Sequence, residues 1–166
     1  RHDPEVLYRF PFAPATRQRV TQAWPDLSTH DSLASRHAVD IAAPVGTGVY
    51  AARAGTVFEV AAQHFRGGTD RERDLPRANL VRILHDDGTM AVYAHLNWDS
   101  IRVRPGEAVA RGQYIADSGN TGYTTGPHLH FVVQRNAGLR LESLPVRFAG
   151  PEGPVTPETG MEITAF

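Results

Sequence analysis

Asn79-Leu80-Val81-Arg82-Ile83-Leu84-His85-Asp86-Asp87-Gly88-Thr89-Met90-Ala91-Val92-Tyr93-Ala94-His95-Leu96 decides the fold. Two β-rich runs flank Asp86-Asp87-Gly88. An Asp-Gly pair between such runs predicts a hairpin, because glycine accepts the positive φ of a tight reversal. Strand alternation puts Tyr93 and His95 on one face and Val92, Ala94 and Leu96 on the other. His85, beside the turn, reads as structural or exposed.

Outward from the hairpin the chain stays short-stranded. Residues 38–60 are β-rich and cut by Pro44-Val45-Gly46 and Ala54-Gly55 turns, which excludes a long helix. Residues 61–77 are polar and charged and read as a surface loop carrying His64. Downstream, Pro105-Gly106 and Gly112-Gln113 are turns around short strands at 107–109 and 114–118. Residues 1–29 are punctuated by prolines and read as an irregular segment packing on the core, with short strand candidates at 7–10 and 19–24. Residues 136–166 form a C-terminal extension whose Pro/Gly/Thr-rich end is expected to be loosely attached. No repeat and no amphipathic helix of usual length is present. The fold class is all-β, with many short antiparallel strands.

Composition narrows the function. A chain of 166 residues fits one domain with a real core. The net charge of −1 gives no argument for nucleic acid or an anionic membrane surface. Absence of cysteine excludes disulfides and thiolate metal sites. No apolar run is long enough to span a bilayer. No signal segment is seen, and Arg1-His2-Asp3-Pro4 reads as a trimmed or mature N-terminus.

The chemistry concentrates in Ser118-Gly119-Asn120-Thr121-Gly122-Tyr123-Thr124-Thr125-Gly126-Pro127-His128-Leu129-His130-Phe131. A glycine-rich loop runs into a strand on which His128 and His130 share a face, roughly 6.6 Å apart, while Leu129, Phe131 and Val133 point into an apolar layer. Asp40 is a carboxylate inside an apolar strand, and a buried carboxylate has to be paired, hydrogen-bonded or bound to metal. An arginine such as Arg36 or Arg53 is the alternative partner. Asp40, His95, His128, His130 and the loop residue His30 are thus candidates for one cleft. Catalytic zinc takes three ligands from His and Asp/Glu and keeps a fourth position for water, whose pKa it lowers towards about 7. Spare histidines suit proton transfer and oxyanion stabilisation.

These residues carry a family resemblance. His30, then Arg36-His37-Ala38-Val39-Asp40-Ile41-Ala42-Ala43-Pro44-Val45-Gly46-Thr47, Tyr93-Ala94-His95-Leu96, Val103-Arg104-Pro105-Gly106 and the Ser118 to Phe131 stretch resemble, in order and spacing, the lysostaphin-type (LytM-like) zinc metallopeptidases. The resemblance covers roughly residues 30–134. It implies an antiparallel β-sandwich or open-barrel-like core with a substrate groove, a metallopeptidase core at 30–135, and Zn2+ as cofactor. It implies Asp40 and His130 as zinc ligands, and His95 and His128 as the histidines acting on water and transition state. The first ligand departs from the common pattern, which has His four residues before Asp; Arg36 stands there. A one-residue shift along a strand reverses the face, so His37 is expected to point away. A longer version of the pattern, with Thr29-His30 upstream, makes His30 the first-ligand candidate and His37 the alternative. The implied activity is endopeptidase hydrolysis of peptidoglycan peptides outside the cytoplasm, in the periplasm or cell envelope. The alternatives are an inactive module of the same fold that binds peptidoglycan or activates a partner hydrolase, and a protease acting on proteins.

Overall fold

The computed structural model describes residues 2–166. One sheet of nine strands organises it. In chain order these are β1 (Arg17–Gln22), β2 (Val39–Ala42), β3 (Gly55–Ala61), β4 (Leu80–Leu84), β5 (Met90–Ala94), β6 (Ala108–Val109), β7 (His128–Asn136), β8 (Leu141–Leu144) and β9 (Glu162–Thr164). Across the sheet the order is β9-β1-β2-β7-β5-β4-β3-β6, with β8 paired to β7, and every pairing is antiparallel. The hairpin of β4 and β5 forms with Leu84 opposite Met90, and Gly88 takes a φ of +83° in its turn. One four-residue α-helix, α1 (Arg71–Asp74), lies in the 61–77 insertion, capped by Asp70 accepting from the Arg73 amide.

One face of the sheet is the core. Val39, Ile41, Val57, Val81, Ile83, Ala91, Tyr93, Leu129, Phe131 and Val133 are all buried there, as period-two alternation requires. Smaller sheets cover that face: Gly48–Tyr50 with Tyr114–Asp117, and Leu7–Tyr8 with Arg147–Gly150 and Gly153–Val155. Phe131 of β7 meets Tyr93, Phe148 and Tyr8 at ring-centroid distances of 5.2, 5.9 and 6.2 Å. These aromatic contacts tie the two layers together.

Two expectations change. The C-terminal end is not loose: β9 pairs with β1, and Phe148, Ile163 and Ala165 are buried. Strands of three or four residues are too short to show periodicity, so composition alone misled. The N-terminal segment packs on the core through buried Tyr8, Phe10 and Phe12. The surface loop at 61–77 also carries structure, because Gly67–Gly68 pairs with Gly122–Tyr123 beside α1. Among the described residues, no helix is long and apolar enough to cross a membrane.

Candidate active site

The other face of the sheet floors a groove of about 670 Å³. Register sets its centre. His130 of β7 lies opposite Asp40 of β2 on one side and Ala94 of β5 on the other. Asp40 and His130 therefore point up from adjacent strands, and the His130 Nδ1 lies 2.9 Å from Asp40 Oδ1. Residues 29–35 supply one wall, Arg71, Leu75 and Ala78 of the insertion another, and residues 123–127 close the end beside His128.

His30 enters from the 29–35 wall. It is buried, and its Nε2 lies 3.0 Å from Asp40 Oδ2. Gln22 holds it: with the amide assigned by its partners, the Gln22 carbonyl accepts from the His30 and Thr29 amides and its nitrogen donates to Thr29 Oγ1. His37 is elsewhere, tilted against Trp24 with ring centroids 4.8 Å apart, and burial lowers its pKa.

One group that could hold a metal ion occurs among the described residues: donor atoms of His30, Asp40 and His130 lie within 4.8 Å of one another. Its fit to a metal can be judged from His30. The Nε2 is buried and aimed at Asp40, yet it makes no hydrogen bond among the described residues. A buried nitrogen left so is costly unless something else occupies its lone pair. Two imidazoles and a carboxylate are also the donor set of an open zinc site. The residues fit. Burial pushes the Asp40 carboxyl upward, but hydrogen bonds with the adjoining His130 and His30 imidazoles and the electrostatic influence of His130 and His128 hold it well below the usual carboxylate range. It is an anion facing the donors' convergence point.

His95 and His128 stand beside this group, with ring centroids 4.6 Å apart. The His95 Nδ1 lies 2.6 Å from the Thr121 carbonyl, and the His128 Nδ1 lies 2.8 Å from the Gly126 carbonyl. A carbonyl only accepts, so each Nδ1 carries a proton. His128 Nε2 is 3.7 Å from Asp40 Oδ1. Burial, then the neighbouring His128 and His130, pushes the His95 pKa down to about 3, so the ring is neutral at pH 7.

His95 reaches the groove by breaking alternation. Tyr93 points into the core, where its hydroxyl accepts from the Ala52 amide, while Val92 and Ala94 line the groove. Continued alternation would send His95 after Tyr93. Instead β5 ends at Ala94 and His95 takes a φ of +63°, which turns its ring to the groove side. The faces assigned from sequence were therefore wrong for His95, which leaves Tyr93's side, and for Leu96, which joins Tyr93 in the core instead of Val92 and Ala94 on the groove face.

Sequence reasoning missed the residues that aim the histidines. Thr121 Oγ1 donates to the Leu96 carbonyl and accepts from the Asn79 amide, fixing the carbonyl that holds His95. Gly119 lets that loop press on the chain after His95, since a Cβ there would meet Asn97 backbone at 2.6 Å. The glycine-rich loop just ahead of His-x-His was the available signal.

The match to known proteins covers these residues. The model of Peptidase family M23 matches residues 34–141. The chain belongs to Peptidase family M23. That span takes in Asp40, His95, His128 and His130 of the M23 chain and leaves His30 outside it. The chain is 38% identical over 99 residues to the peptidoglycan DD-endopeptidase ShyA of Vibrio cholerae, covering 60% of this chain and 20% of that protein. It is 34% identical over 96 residues to lysostaphin of Staphylococcus simulans, covering 57% of this chain and 17% of the other. A zinc-containing peptidase from Vibrio cholerae superposes with a TM-score of 0.56 at 31% identity, over 78% of this chain and 37% of that one. The M23 chain spans between 20% and 27% of the length of the curated relatives ShyA and ShyB.

Proposed function

We propose that this chain is a zinc-dependent endopeptidase acting on peptide bonds of peptidoglycan, outside the cytoplasmic membrane. The observation that carries it is the pairing of a His30–Asp40–His130 group with two further imidazoles, His95 and His128, in one groove. A structure similar to this chain is described as a zinc-containing peptidase, and relatives named for peptidoglycan or glycine-bridge lysis support the substrate class.

His30, Asp40 and His130 would hold the zinc. Bound there, zinc supplies Lewis-acid polarisation and a water acidic enough to lose its proton near neutral pH. The rest is the work of this chain's own side chains. The anionic Asp40 sets the charge of the site. His95, neutral at pH 7, has an Nε2 that can accept the attacking water's proton, and His128 stands beside it as the second imidazole for proton transfer. Once protonated, that imidazole donates: to the oxyanion that develops as the carbonyl becomes tetrahedral, or to the departing amine. The Thr121 and Gly126 carbonyls hold both rings through transfer, because a ring that gains a proton at Nε2 keeps its Nδ1 bond. The groove floor of Ala94, Val92 and Val132 excludes water from one side of the bound peptide.

The test is digestion of purified muropeptides, read by mass spectrometry. Wild type is expected to release cleaved peptides. His128→Ala is expected to keep its zinc and lose turnover by 100-fold or more, on the order of general acid–base contributions. Zinc binding without any release from wild type would favour an inactive peptidoglycan-binding module. Cleavage of casein but not muropeptides would favour a protease of proteins.

A further inference from the structure

The groove continues past the metal-holding group. Asp40, His130, Ala94 and Leu80 share one lateral row of the sheet. The next row on the same face is Val132, Val92 and Arg82, and Gln134 lies one step further along β7. Val132, Val92 and Ala94 are buried and form an apolar floor with Leu80 packed against it. Arg82 interrupts it.

Arg82 is held in place by both neighbouring layers. Its Nη1 donates to Gln134 Oε1 at 3.0 Å, and its Nε lies 2.8 Å from Glu59 Oε2. Gln134 is itself buried, and its Nε2 donates to the Ala34 carbonyl of the 29–35 wall at 2.9 Å. The guanidinium therefore leans from β4 across β5 to β7 and closes the far end of the groove. These contacts engage Nη1 and Nε and do not involve Nη2. From His130 to Gln134 is four strand residues, about 13 Å. That is the reach of three to four residues of extended peptide.

A planar cation at the end of an apolar trough suits one kind of group. Its paired N–H donors match a carboxylate, and little water competes beside valine and alanine. Arg71, the other arginine at the groove's upper wall, is well exposed and lies 3.6 Å from Asp31, which offsets it. Glu59 is about half exposed and faces Nε rather than Nη2.

We propose that Arg82 is a specificity-determining residue, positioned by Gln134, which reads a free carboxylate on the substrate peptide within three to four residues of the cleaved bond. This rests on the peptide-hydrolase reading above and adds the chemical class of the peptide: one with an uncompensated carboxylate on the side that lies over Val92 and Val132.

The experiment uses two forms of one fluorescently labelled, cross-linked muropeptide dimer, with diaminopimelate carboxylates free or amidated. Anisotropy gives their binding to the zinc-free chain, and mass spectrometry follows cleavage by the zinc-loaded chain. Wild type is expected to bind the free acid about tenfold more tightly, the size of one charge-assisted contact. Arg82→Gln should bring the ratio to about one, and Arg82→Lys should lie between. Gln134→Glu, which sets a protein carboxylate on Arg82, should also abolish the preference, and it decides the matter if Arg82→Gln does not fold by circular dichroism. A wild-type ratio near one, or a ratio unchanged in folded variants, overturns the assignment even if both dimers are cleaved and the hydrolase reading stands. Cleavage of neither dimer, with a binding ratio that follows Arg82, sinks the hydrolase reading and leaves this subsite in place.

Discussion

Asp40 is a carboxylate buried among three imidazoles, and their hydrogen bonds and field overcome burial and hold it as an anion. Its loss should empty the site. Zinc content by elemental analysis is expected to fall from one equivalent per chain to about a tenth or less in Asp40→Ala and His30→Ala, and to stay at one in His37→Ala. Full retention in Asp40→Ala would overturn the donor assignment, and loss in His37→Ala alone would move the first donor to that residue. Protonation provides an independent check. His95 titrates near 3 in the folded chain because of burial and then the adjacent His128 and His130, whereas an unfolded histidine titrates near 6.5. Between those values the unfolded chain binds more protons, so stability rises with pH and is fully present above 6.5. The zinc-free chain is expected to lose about 1.4 kcal/mol for each pH unit below 6.5 from this one group. Urea midpoints from pH 6.5 to 5 would read the slope, and His95→Asn should flatten it; equal slopes would contradict a buried neutral ring. At this scale Asp40 and the His128/His130 pair were legible, because a charge in an apolar strand and a shared face are visible in sequence. The turn of His95 was not, since its positive φ is imposed by distant contacts: the Leu96 amide on the Asn79 carbonyl and Thr121 on the His95 ring.

Elements were legible where they are long or signalled by a turn. The β4–β5 hairpin follows from Asp87-Gly88, and β7 from its alternation through nine residues. The C-terminal strands were illegible because Arg147–Gly150 and β9 are three or four residues long and sit among prolines and glycines. Their packing nevertheless supports the site. β9 pairs with β1, β1 with β2, and β2 carries Asp40. Phe148, fully buried, joins Phe10 at 5.2 Å and Phe131 at 5.9 Å. Truncating it to alanine is expected to cost about 3–5 kcal/mol in urea unfolding, the range for a fully buried phenylalanine. A cost under about 1 kcal/mol would mean that the 136–166 extension is not part of the cooperative unit.

For the whole molecule, two opposite demands fall on the two faces of one sheet. The core face stacks aromatic and β-branched side chains against the smaller sheets, which makes the strands rigid. The groove face carries polar groups whose spacing that rigidity sets. Register alone brings Asp40 beside His130, and the loops supply His30 and the carbonyls that aim His95 and His128. The fold was legible as all-β with a site on one sheet face. The groove's walls were not, since residues 29–35 and the insertion are irregular and meet only in three dimensions. One metal at His30, Asp40 and His130 is expected to make this groove a peptidoglycan endopeptidase. The most direct measurement strips the chain with chelator and adds zinc back while mass spectrometry follows cleavage of a cross-linked muropeptide dimer. Cleavage is expected to be absent in the stripped chain and to rise linearly to a plateau at one equivalent of zinc. A dimer left intact at one bound equivalent, or cleaved equally well without zinc, would contradict the account.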